Sequence, residues 1–337
     1  MMKKIDAVFE GGGVKGIGLV GAVSVIEKAG YKFENLAGTS AGAIVAGLLA
    51  VGFNSKEIKE ELKSLNYNQF KDEKFPSKYE WLWKGLKIIF KKGIYKGDYF
   101  EEWFEKLLKK KGKCKFGDIR TEYEADKYKY KLQVIASDLT DQSLLVLPGD
   151  LQRFGINPDN YSISKAIRMS MSIPIFFEPV EIKDKNNITH YIVDGGVLSN
   201  YPVWLLDDGT CNPEWPTFGF KLMEPQKRTL EKPNLNPINN TINYFYSIIG
   251  TLLNGHDNYH ISESKGDYDR TIGISTEIEV NNLKKGIGTT YFDITEEESN
   301  LLFKNGEVVA EKFLENWNFE KWKEKYRSKT LNGSSIN

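Results

Sequence analysis

Histidine is scarce in this chain, with three copies in 337 residues: His190, His256 and His260. A hydrolase that uses a serine–histidine–aspartate triad would have to take its base from these three. Cysteine is also scarce, since Cys114 and Cys211 are too few for a disulfide framework or a zinc cluster. We therefore expect no metal and no cofactor, and we interpret both cysteines as incidental thiols of a reducing compartment.

The sequence has neither an excess of charge nor a long apolar run. Lysine plus arginine and aspartate plus glutamate both number 46, whereas a nucleic-acid-binding protein usually has a basic excess. The N-terminus resembles a signal peptide only faintly, because Asp6, Glu10 and Lys15 interrupt it, and no uncharged stretch reaches the roughly 18 residues of a membrane span. We expect a cytoplasmic protein without a nucleic-acid partner, and peripheral contact with a membrane surface stays open.

Strand-like and helix-like segments alternate in the N-terminal third. Residues 5–10 are a β-rich run that ends in glycines, and residues 14–30 have helical spacing and stop at a glycine. Residues 41–52 are almost entirely apolar, which is typical of a buried helix. The repetition of strand, turn and helix predicts a layered α/β fold.

Further elements are predicted along the chain. An amphipathic helix begins at Asp98, and residues 162–173 have the pattern of another helix. A late helix over 296–317 is expected to break at Gly306, and residues 327–337 are expected to form a frayed tail. Strands are predicted over 130–139, 143–149 and 190–196.

The first glycine-rich motif lies between the first predicted strand and the first predicted helix. It satisfies the pattern G-x-G-x-x-G, and three interpretations stay open: a tight structural turn, a dinucleotide site, or a turn whose backbone N–H groups stabilise a developing negative charge. The dinucleotide site would also need an acidic residue at the end of a second strand, and Glu34 is the nearest candidate. The residues of the motif are Gly11, Gly12, Gly13, Val14, Lys15 and Gly16.

The second motif, G-x-S-x-G, places Ser40 between Gly38 and Gly42. A sharp turn from a strand to a helix needs small neighbours on both sides of the serine, and it would expose the serine Oγ at a helix N-terminus. The alternative is a serine that only caps the helix.

The third motif is Asp194-Gly195-Gly196, at the end of a predicted strand. A buried strand that delivers an aspartate into a glycine turn often marks the edge of an active site. The alternative is an ordinary Asp-Gly hairpin turn.

Together the three motifs supply what acyl transfer requires: backbone N–H groups, a nucleophile on a turn and a carboxylate at a strand end. In this order and spacing, "GGGVKG", "GTSAG" and "DGG" resemble the patatin-like phospholipase family. The resemblance runs from about Ile5 to Pro202 and extends more weakly through "TFGFKL" and the late helix, although Met169 stands where a smaller residue is expected. Four further stretches are similar to the family: "GIYKGDYFEEW", "ASDLTDQSLLVL", "AIRMSMSIPIFFEPV" and "SNYPVW".

The resemblance implies a three-layer α/β/α fold with a central, mostly parallel sheet and a serine on a nucleophile elbow. The catalytic domain would cover residues 5–207. We expect residues 208–326 to form a C-terminal extension that packs on the same domain, followed by a flexible tail over 327–337. The implied substrate is a phospholipid or another acyl-ester lipid.

The resemblance also implies a catalytic dyad of Ser40 and Asp194, in which the carboxylate accepts the serine proton directly and later activates water. An exposed aspartate, with a pKa of about 3.9, is a weak base at neutral pH. We therefore expect Asp194 to be buried, which would raise its pKa, and to accept hydrogen bonds from nearby backbone N–H groups.

The implied oxyanion hole consists of backbone N–H groups of the 11–16 turn, most of all those of Gly12, Gly13 and Val14. The side chain of Lys15 would add positive charge near the site or near a lipid phosphate. A solvated Lys15 is the open alternative.

The histidines have no role in this scheme. His190 lies four residues before Asp194 on the same predicted strand, about 13 Å away, which is too far for a triad. His256 and His260 have a spacing that could suggest a metal, but no third ligand completes a recognised pattern, so we expect no metal there.

The stretch over residues 79–95 combines apolar and basic side chains. This composition suits a membrane interface or a lid over an acyl pocket. It also suits an ordinary amphipathic helix that packs on the core, which is the interpretation that we favour, and the membrane interface or lid stays open. The residues concerned are Trp81, Trp83, Ile88, Ile89 and Phe90 with Lys84, Lys87, Lys91 and Lys92.

The function that we expect is a lipid acyl hydrolase of the phospholipase A type. Two alternatives use the same scaffold: a soluble esterase or lysophospholipase that acts on short or single acyl chains, and a non-catalytic lipid-binding protein. A nucleotide-dependent oxidoreductase would leave Ser40 and Asp194 without a role.

Overall fold

The computed structural model describes residues 3–72, 80–123, 128–207, 209–224, 266–289 and 291–327, together with Tyr244, Ile248 and Thr251. For residues 80–82 it describes the backbone alone.

The strands are β1 (Lys3–Phe9), β2 (Tyr31–Thr39), β3 (Gly93–Tyr95), β4 (Leu132–Asp138), β5 (Ser143–Leu147), β6 (Ile175–Phe177), β7 (Val180–Lys183), β8 (Thr189–Asp194), β9 (Thr217–Met223), β10 (Thr271–Ser275), β11 (Glu277–Val280) and β12 (Leu283–Gly286). The α-helices are α1 (Gly16–Lys28), α2 (Ala41–Val51), α3 (Ser55–Ser64), α4 (Glu80–Lys91), α5 (Asp98–Lys111), α6 (Ile163–Ser170), α7 (Glu296–Asn316) and α8 (Phe319–Tyr326). None of the described helices is long and apolar enough to cross a membrane.

A central sheet organises the molecule, with the strand order β10-β9-β1-β2-β4-β8-β7 and β5 attached to β4. The five strands from β10 to β4 are parallel, and β5, β8 and β7 join in antiparallel pairs. This is the expected α/β architecture, in which helices flank a central, mostly parallel sheet.

Strands β2 and β8 both pair with the same edge of strand β4. Strand β5 pairs along one edge of β4, opposite residues 134–138. The other edge is shared by two strands that approach from opposite directions, because β2 ends with Thr39 opposite Ile135 and β8 ends with Asp194 opposite Ala136. The carboxyl ends of β2 and β8 therefore meet at two consecutive residues of β4.

Both faces of the sheet are covered. Helices α1, α2, α6 and α7 pack on one face, and α2 is buried along almost its whole length, as its apolar sequence predicts. On the other face, Val8, Ala37 and Ile135 pack against Leu205 and Leu206 of a 3-10 turn. The alternation of Val8 with Ala7 and Phe9 along β1 thus divides the side chains between the two faces.

The chain beyond residue 208 contributes to the same sheet and the same helical face. Strand β9 pairs with β1, β10 pairs with β9, and α7 lies along α1. A Cβ atom on Gly306 would lie 2.0 Å from the carbonyl oxygen of Gly18, so this glycine is the point where the two helix backbones approach. The predicted break at Gly306 is wrong, because α7 is continuous through it.

The last described residue, Arg327, also belongs to the fold. Its side chain is buried, and its guanidinium pairs with the Asp207 carboxylate at 2.5 Å. The predicted tail therefore cannot include Arg327, and residues 328–337 lie outside the described part of the chain.

Candidate active site

Ser40 lies on a sharp turn between the end of β2 and the start of α2. Its φ of 51° and ψ of −123° are a conformation that an L-residue adopts only when its surroundings impose it. The flanking glycines permit the turn, because a Cβ on Gly38 would lie 2.5 Å from the backbone of Gly42, and one on Gly42 would lie 2.3 Å from Phe9 O. The local geometry is that of a nucleophile elbow, and the serine side chain does not cap α2.

Helix α6 fixes the backbone of this elbow. The Ser40 N–H donates to Ser170 Oγ at 2.9 Å, and the Ser170 hydroxyl donates to the Ile135 carbonyl at 2.6 Å. Ile135 is the β4 residue opposite Thr39. One buried side chain therefore ties the elbow to the strand that sets its position.

Asp194 is the last residue of β8 and lines the same cavity as Ser40. The Ser40 hydroxyl lies near enough to the Asp194 carboxylate to lower its pKa, and the Gly196 N–H donates to Asp194 Oδ1 at 2.8 Å. The aspartate is 1% exposed, and this burial raises its pKa to about 7, although the Gly196 hydrogen bond and the nearby Ser40 hydroxyl act to lower it. The expected burial and backbone hydrogen bond are therefore present. Gly195 continues the turn, and its carbonyl accepts from the Ser137 hydroxyl at 3.4 Å.

The 11–16 turn lies beside Ser40, since a Cβ on Gly11 would be 3.1 Å from the Ser40 Cβ. Four of its six backbone amides already have acceptors in the protein, including that of Val14, one of the expected oxyanion donors. In the described part of the chain the amides of Gly12 and Gly13 have none. The four bonds run from Gly11 to Asn200 O at 3.1 Å, from Val14 to Thr289 O at 3.2 Å, from Lys15 to Gly12 O at 3.3 Å, and from Gly16 to Gly13 O.

A carbonyl from the C-terminal segment covers this turn. Thr289 O accepts the Val14 N–H, and a Cβ on Gly13 would lie 1.9 Å from the same oxygen. Gly13 also has a φ of 57°, in the left-handed region that favours glycine. Both the conformation and the close approach therefore require glycine at position 13.

The cavity at Ser40 is small. Its volume is about 30 Å³, close to the volume of one molecule in liquid water. Ser40 and Asp194 lie on one side, and Leu222, Glu224 and Thr289 complete the wall. The cavity therefore has little free space beside Ser40 in this conformation.

Lys15 contributes to the same wall. Its side chain is buried, and its Nζ lies 3.2 Å from Oε1 of Glu224, which is itself half-exposed. The interpretation of Lys15 as a solvated lysine is therefore wrong. The ammonium brings a positive charge to the edge of the cavity, where an acidic side chain balances it.

His190 belongs to a separate cluster on β8. Its Nδ1 lies 2.7 Å from Asp138 Oδ2, and Asp138 also accepts from the amides of Thr140 and Asp141. The ligating atoms of His190, Asp138 and Asp141 lie within 4.8 Å of one another. Because Asp138 and His190 satisfy each other, we interpret the cluster as a brace at the end of β4. His256 and His260 lie outside the described residues.

Comparison with known proteins agrees with this geometry. Residues 7–207 match the patatin-like phospholipase family. The chain belongs to this family. The matched range contains the 11–16 turn, Ser40 and Asp194, and it ends just before β9.

The similarity to one curated relative extends beyond residues 7–207. The uncharacterised protein YqhO of Bacillus subtilis is 38% identical over 315 residues, which cover 94% of this chain and 99% of YqhO. A protein named as a probable lipid hydrolase, 463L of invertebrate iridescent virus 6, is 27% identical over 208 residues, covering 58% of this chain and 61% of 463L. The similarity to YqhO therefore includes the C-terminal segment.

Solved structures share the patatin-like fold. VipD from Legionella pneumophila superposes with a TM-score of 0.52 at 19% identity, covering 93% of this chain and 67% of VipD. A chain of the ExoU–SpcU complex of Pseudomonas aeruginosa gives a TM-score of 0.50 at 16% identity, over 93% of this chain and 51% of that one. The chain thus spans about half of the latter, and at these identities the likeness concerns the fold alone.

Several residues of this patatin-like site escaped the sequence motifs. Ser170 and Asn200 lie in the quoted stretches "AIRMSMSIP" and "SNYP", so their neighbourhood carried a signal although their contacts did not. Thr289 and Glu224 lie more than 180 residues from the turn that they contact. No spacing rule in the sequence connects such distant positions.

Proposed function

We propose that the protein is a serine lipid acyl hydrolase of the phospholipase A type, with Ser40 as nucleophile and Asp194 as base. The observation that carries the proposal is that Ser40, on its elbow, lines the same cavity as the buried Asp194 carboxylate, whose pKa is about 7. An acid with a pKa near the working pH is ionised often enough to accept a proton and basic enough to remove one.

In the acylation step the Ser40 Oγ attacks the carbonyl carbon of the ester while its proton passes to Asp194. The developing oxyanion would be bound by the backbone N–H groups of Gly12 and Gly13. Loss of one such donor typically costs about 3 kcal/mol of transition-state stabilisation. When the tetrahedral intermediate collapses, the C–O bond to the alcohol breaks, and Asp194 returns the proton to the leaving oxygen.

Deacylation repeats the sequence with water. Asp194 takes a proton from the water as it attacks the acyl carbon of the Ser40 ester. Collapse of the second intermediate releases the fatty acid and returns the proton to the Ser40 Oγ. Both half-reactions use the same two side chains, so no histidine is needed.

The substrate must displace part of the wall that closes the cavity. An ester group with its acyl chain occupies far more than about 30 Å³. The Thr289 carbonyl is the part of the wall that covers the 11–16 turn, because its oxygen lies against Gly13 and Val14. We propose that substrate binding moves this carbonyl and replaces it near the turn with the substrate oxygen.

The test is the release of fatty acid from phospholipid vesicles and of p-nitrophenol from short-chain esters. We expect Ser40→Ala and Asp194→Asn to lose at least about a thousandfold in kcat on both substrates. The matched control is Ser24→Ala, which removes another buried hydroxyl, bonded to Gly21 O on α1. Its kcat should stay near that of the wild type.

Three results would overturn the proposal or its details. Wild-type rates in both dyad variants would refute the dyad. Hydrolysis of short esters but not of vesicle lipid would identify the protein as a soluble esterase. Binding of lipid without any turnover in the wild type would identify a non-catalytic lipid-binding protein.

A further inference from the structure

Helix α4 presents large apolar side chains to solvent. Ile89 is 72% exposed and Phe90 is 73% exposed, and Trp83 is 48% exposed. The other described helices, α1–α3 and α5–α8, have no large apolar side chain among their exposed residues, so three such side chains on one helix are unusual for a protein in solution. Their exposure therefore calls for a partner surface.

The exposed apolar strip of α4 lies beside a basic strip. Trp83, Leu86 and Phe90 follow the spacing i, i+3, i+7, which places them on one side of the helix. Lysines 84, 87 and 91 follow the same spacing one position later, so they form an adjacent row. Between residues 80 and 92 there are four lysines and one glutamate. This combination is typical of a helix that lies in the plane of a membrane surface.

Two residues outside the apolar strip attach α4 to the protein. Ile88 packs against the hydrophobic core, and the Lys87 ammonium pairs with the Glu178 carboxylate. Glu178 is itself fixed, because its N–H donates to the Tyr95 carbonyl at 2.8 Å. The helix is therefore held with its apolar strip turned outward.

The end of α4 lies close to the candidate active site. The helix leads directly into β3, and Gly93 of β3 pairs with Ile175 of β6. Ile175 follows Ile173, which lines the cavity at Ser40, by two residues, or at most about 7 Å of chain. A surface that docks on α4 would therefore contact an element that connects, through β3 and β6, to the wall of that cavity.

We propose that the exposed face of α4, formed by Trp83, Ile89 and Phe90 with Lys91, is a docking surface for an anionic lipid membrane. The apolar side chains would insert between head groups, and the exposed Lys91 would contact the negative surface. A protein partner would need an acidic surface to match the lysines and an apolar one to match the strip, whereas an anionic bilayer supplies both. Membrane docking by α4 does not depend on the proposed function. Only its consequence does, which is that docking delivers vesicle lipid to Ser40 for hydrolysis.

Binding is measured by co-flotation with vesicles, in the Ser40→Ala background so that no lipid is consumed. The two vesicle types are phosphatidylcholine alone and phosphatidylcholine mixed with phosphatidylglycerol. We expect binding to the anionic vesicles that weakens as salt is raised. The double change Ile89→Ser and Phe90→Ser, and separately Lys91→Glu, should each weaken this binding by about tenfold or more.

The matched control is Tyr268→Ser, which removes a large side chain that is 56% exposed. Tyr268 precedes β10, whose parallel orientation puts it at the end of the sheet away from Ser40. This variant should bind vesicles as tightly as the parent. Thermal unfolding of every variant should match the parent, because the changed side chains are exposed.

Activity separates failure of this inference from failure of the proposed function. With Ser40 intact, the Ile89→Ser, Phe90→Ser variant should keep its rate on a soluble short ester and lose most of its rate on anionic vesicles. Wild-type rates on both would overturn docking by α4 and leave the hydrolase intact. Equal binding to the two vesicle types would overturn the anionic surface, and dimers that the double change dissociates would identify a second copy of the chain as the occupant.

Discussion

Asp194 combines two opposing effects in one residue. Burial raises its pKa to about 7, and this gives the carboxylate the basicity that the proposed chemistry requires. The same burial makes the ionised form costly, since a charge with few compensating partners is held away from water. The residue therefore connects the pH dependence of activity with the pH dependence of stability.

For activity, the base must be ionised to accept the Ser40 proton. We expect kcat/KM on a soluble ester to rise with pH and to level off above an inflection near the Asp194 pKa of about 7. The rise should persist when His190 is replaced by Gln. An inflection that disappears in the His190→Gln variant would assign the base to the histidine instead.

The contribution of Asp194 to stability changes with pH in the opposite direction to activity, because it falls as the pH rises. Because the Asp194 pKa rises from 3.8 to about 7 on folding, its contribution to the free energy of unfolding is largest below pH 3.8 and is lost as the pH rises to about 7. Asp194→Asn removes the ionisation, so the variant should be more stable than the wild type at pH 8, by at most about 4 kcal/mol.

Urea unfolding at pH 8 and at pH 4 measures this difference. At pH 4 both side chains are neutral in the folded state and Asp194 is only partly ionised in the unfolded state, so the two proteins should unfold at similar urea concentrations. A difference that is the same at both pH values would show that Asp194 does not titrate as described.

At this scale the sequence identified the positions that the fold brings together. Ser40 and Asp194 were recognisable because their glycine neighbours leave a pattern in the sequence. The Val14 amide was expected as a free donor, and its bond to Thr289 could not be foreseen, because that contact joins positions 275 residues apart. The same is true of the ion pair between Lys15 and Glu224.

At the scale of the elements, the close packing of helix α1 against helix α7 depends on glycine. Cβ atoms on Gly21 and Gly306 would lie 1.9 Å and 2.0 Å from carbonyl oxygens of the opposite helix. The two backbones are therefore closer than side chains would allow, and part of the chain beyond the matched family range is locked against the first helix of that range.

Gly306→Ala should separate these helices. Alanine favours a helix by about 1 kcal/mol over glycine, but here its methyl group would overlap the Gly18 carbonyl. We expect a net loss of about 1 to 3 kcal/mol in the free energy of unfolding, measured with urea. Gly85→Ala in α4 is the matched control, because a Cβ there meets nothing within 4 Å. It should be neutral or slightly stabilising, and equal effects at both sites would contradict close packing at Gly306.

The elements with strong periodicity were predictable, and those that depend on tertiary pairing were not. Helix α2 and strand β8 follow from their apolar patterns. Strand β9 is not among the strands that the sequence pattern predicted, because its strand character comes from pairing with β1 and β10. Gly306 suggested a break because sequence alone cannot distinguish a glycine that ends a helix from one that permits contact.

At the scale of the whole molecule, we expect that the matched family range is not a complete folding unit. Residues 7–207 contain the end of β1 and all of α1 but lack the strand that pairs with one edge of β1 and the helix that packs on α1. Without them, an edge strand and an apolar helix face would be exposed.

A chain that ends at Asp207 should therefore fail to fold cooperatively and should aggregate. A chain that ends at Arg327 is the control, since it keeps every described element, and its circular dichroism and thermal unfolding should match the full chain. Cooperative unfolding with hydrolytic activity in the shorter chain would show that the C-terminal extension is a separate addition.

The meeting of β2 and β8 on consecutive residues of β4 has a consequence for how such a site can evolve. The distance between Ser40 and Asp194 is set by the pairing of β2 and β8 with one strand, β4. Changes in the length of the connecting loops between them need not alter this distance. An insertion within β4 would shift one partner past the other by a whole residue. We therefore expect insertions in the connecting loops to disturb the pair of side chains less than an insertion within β4.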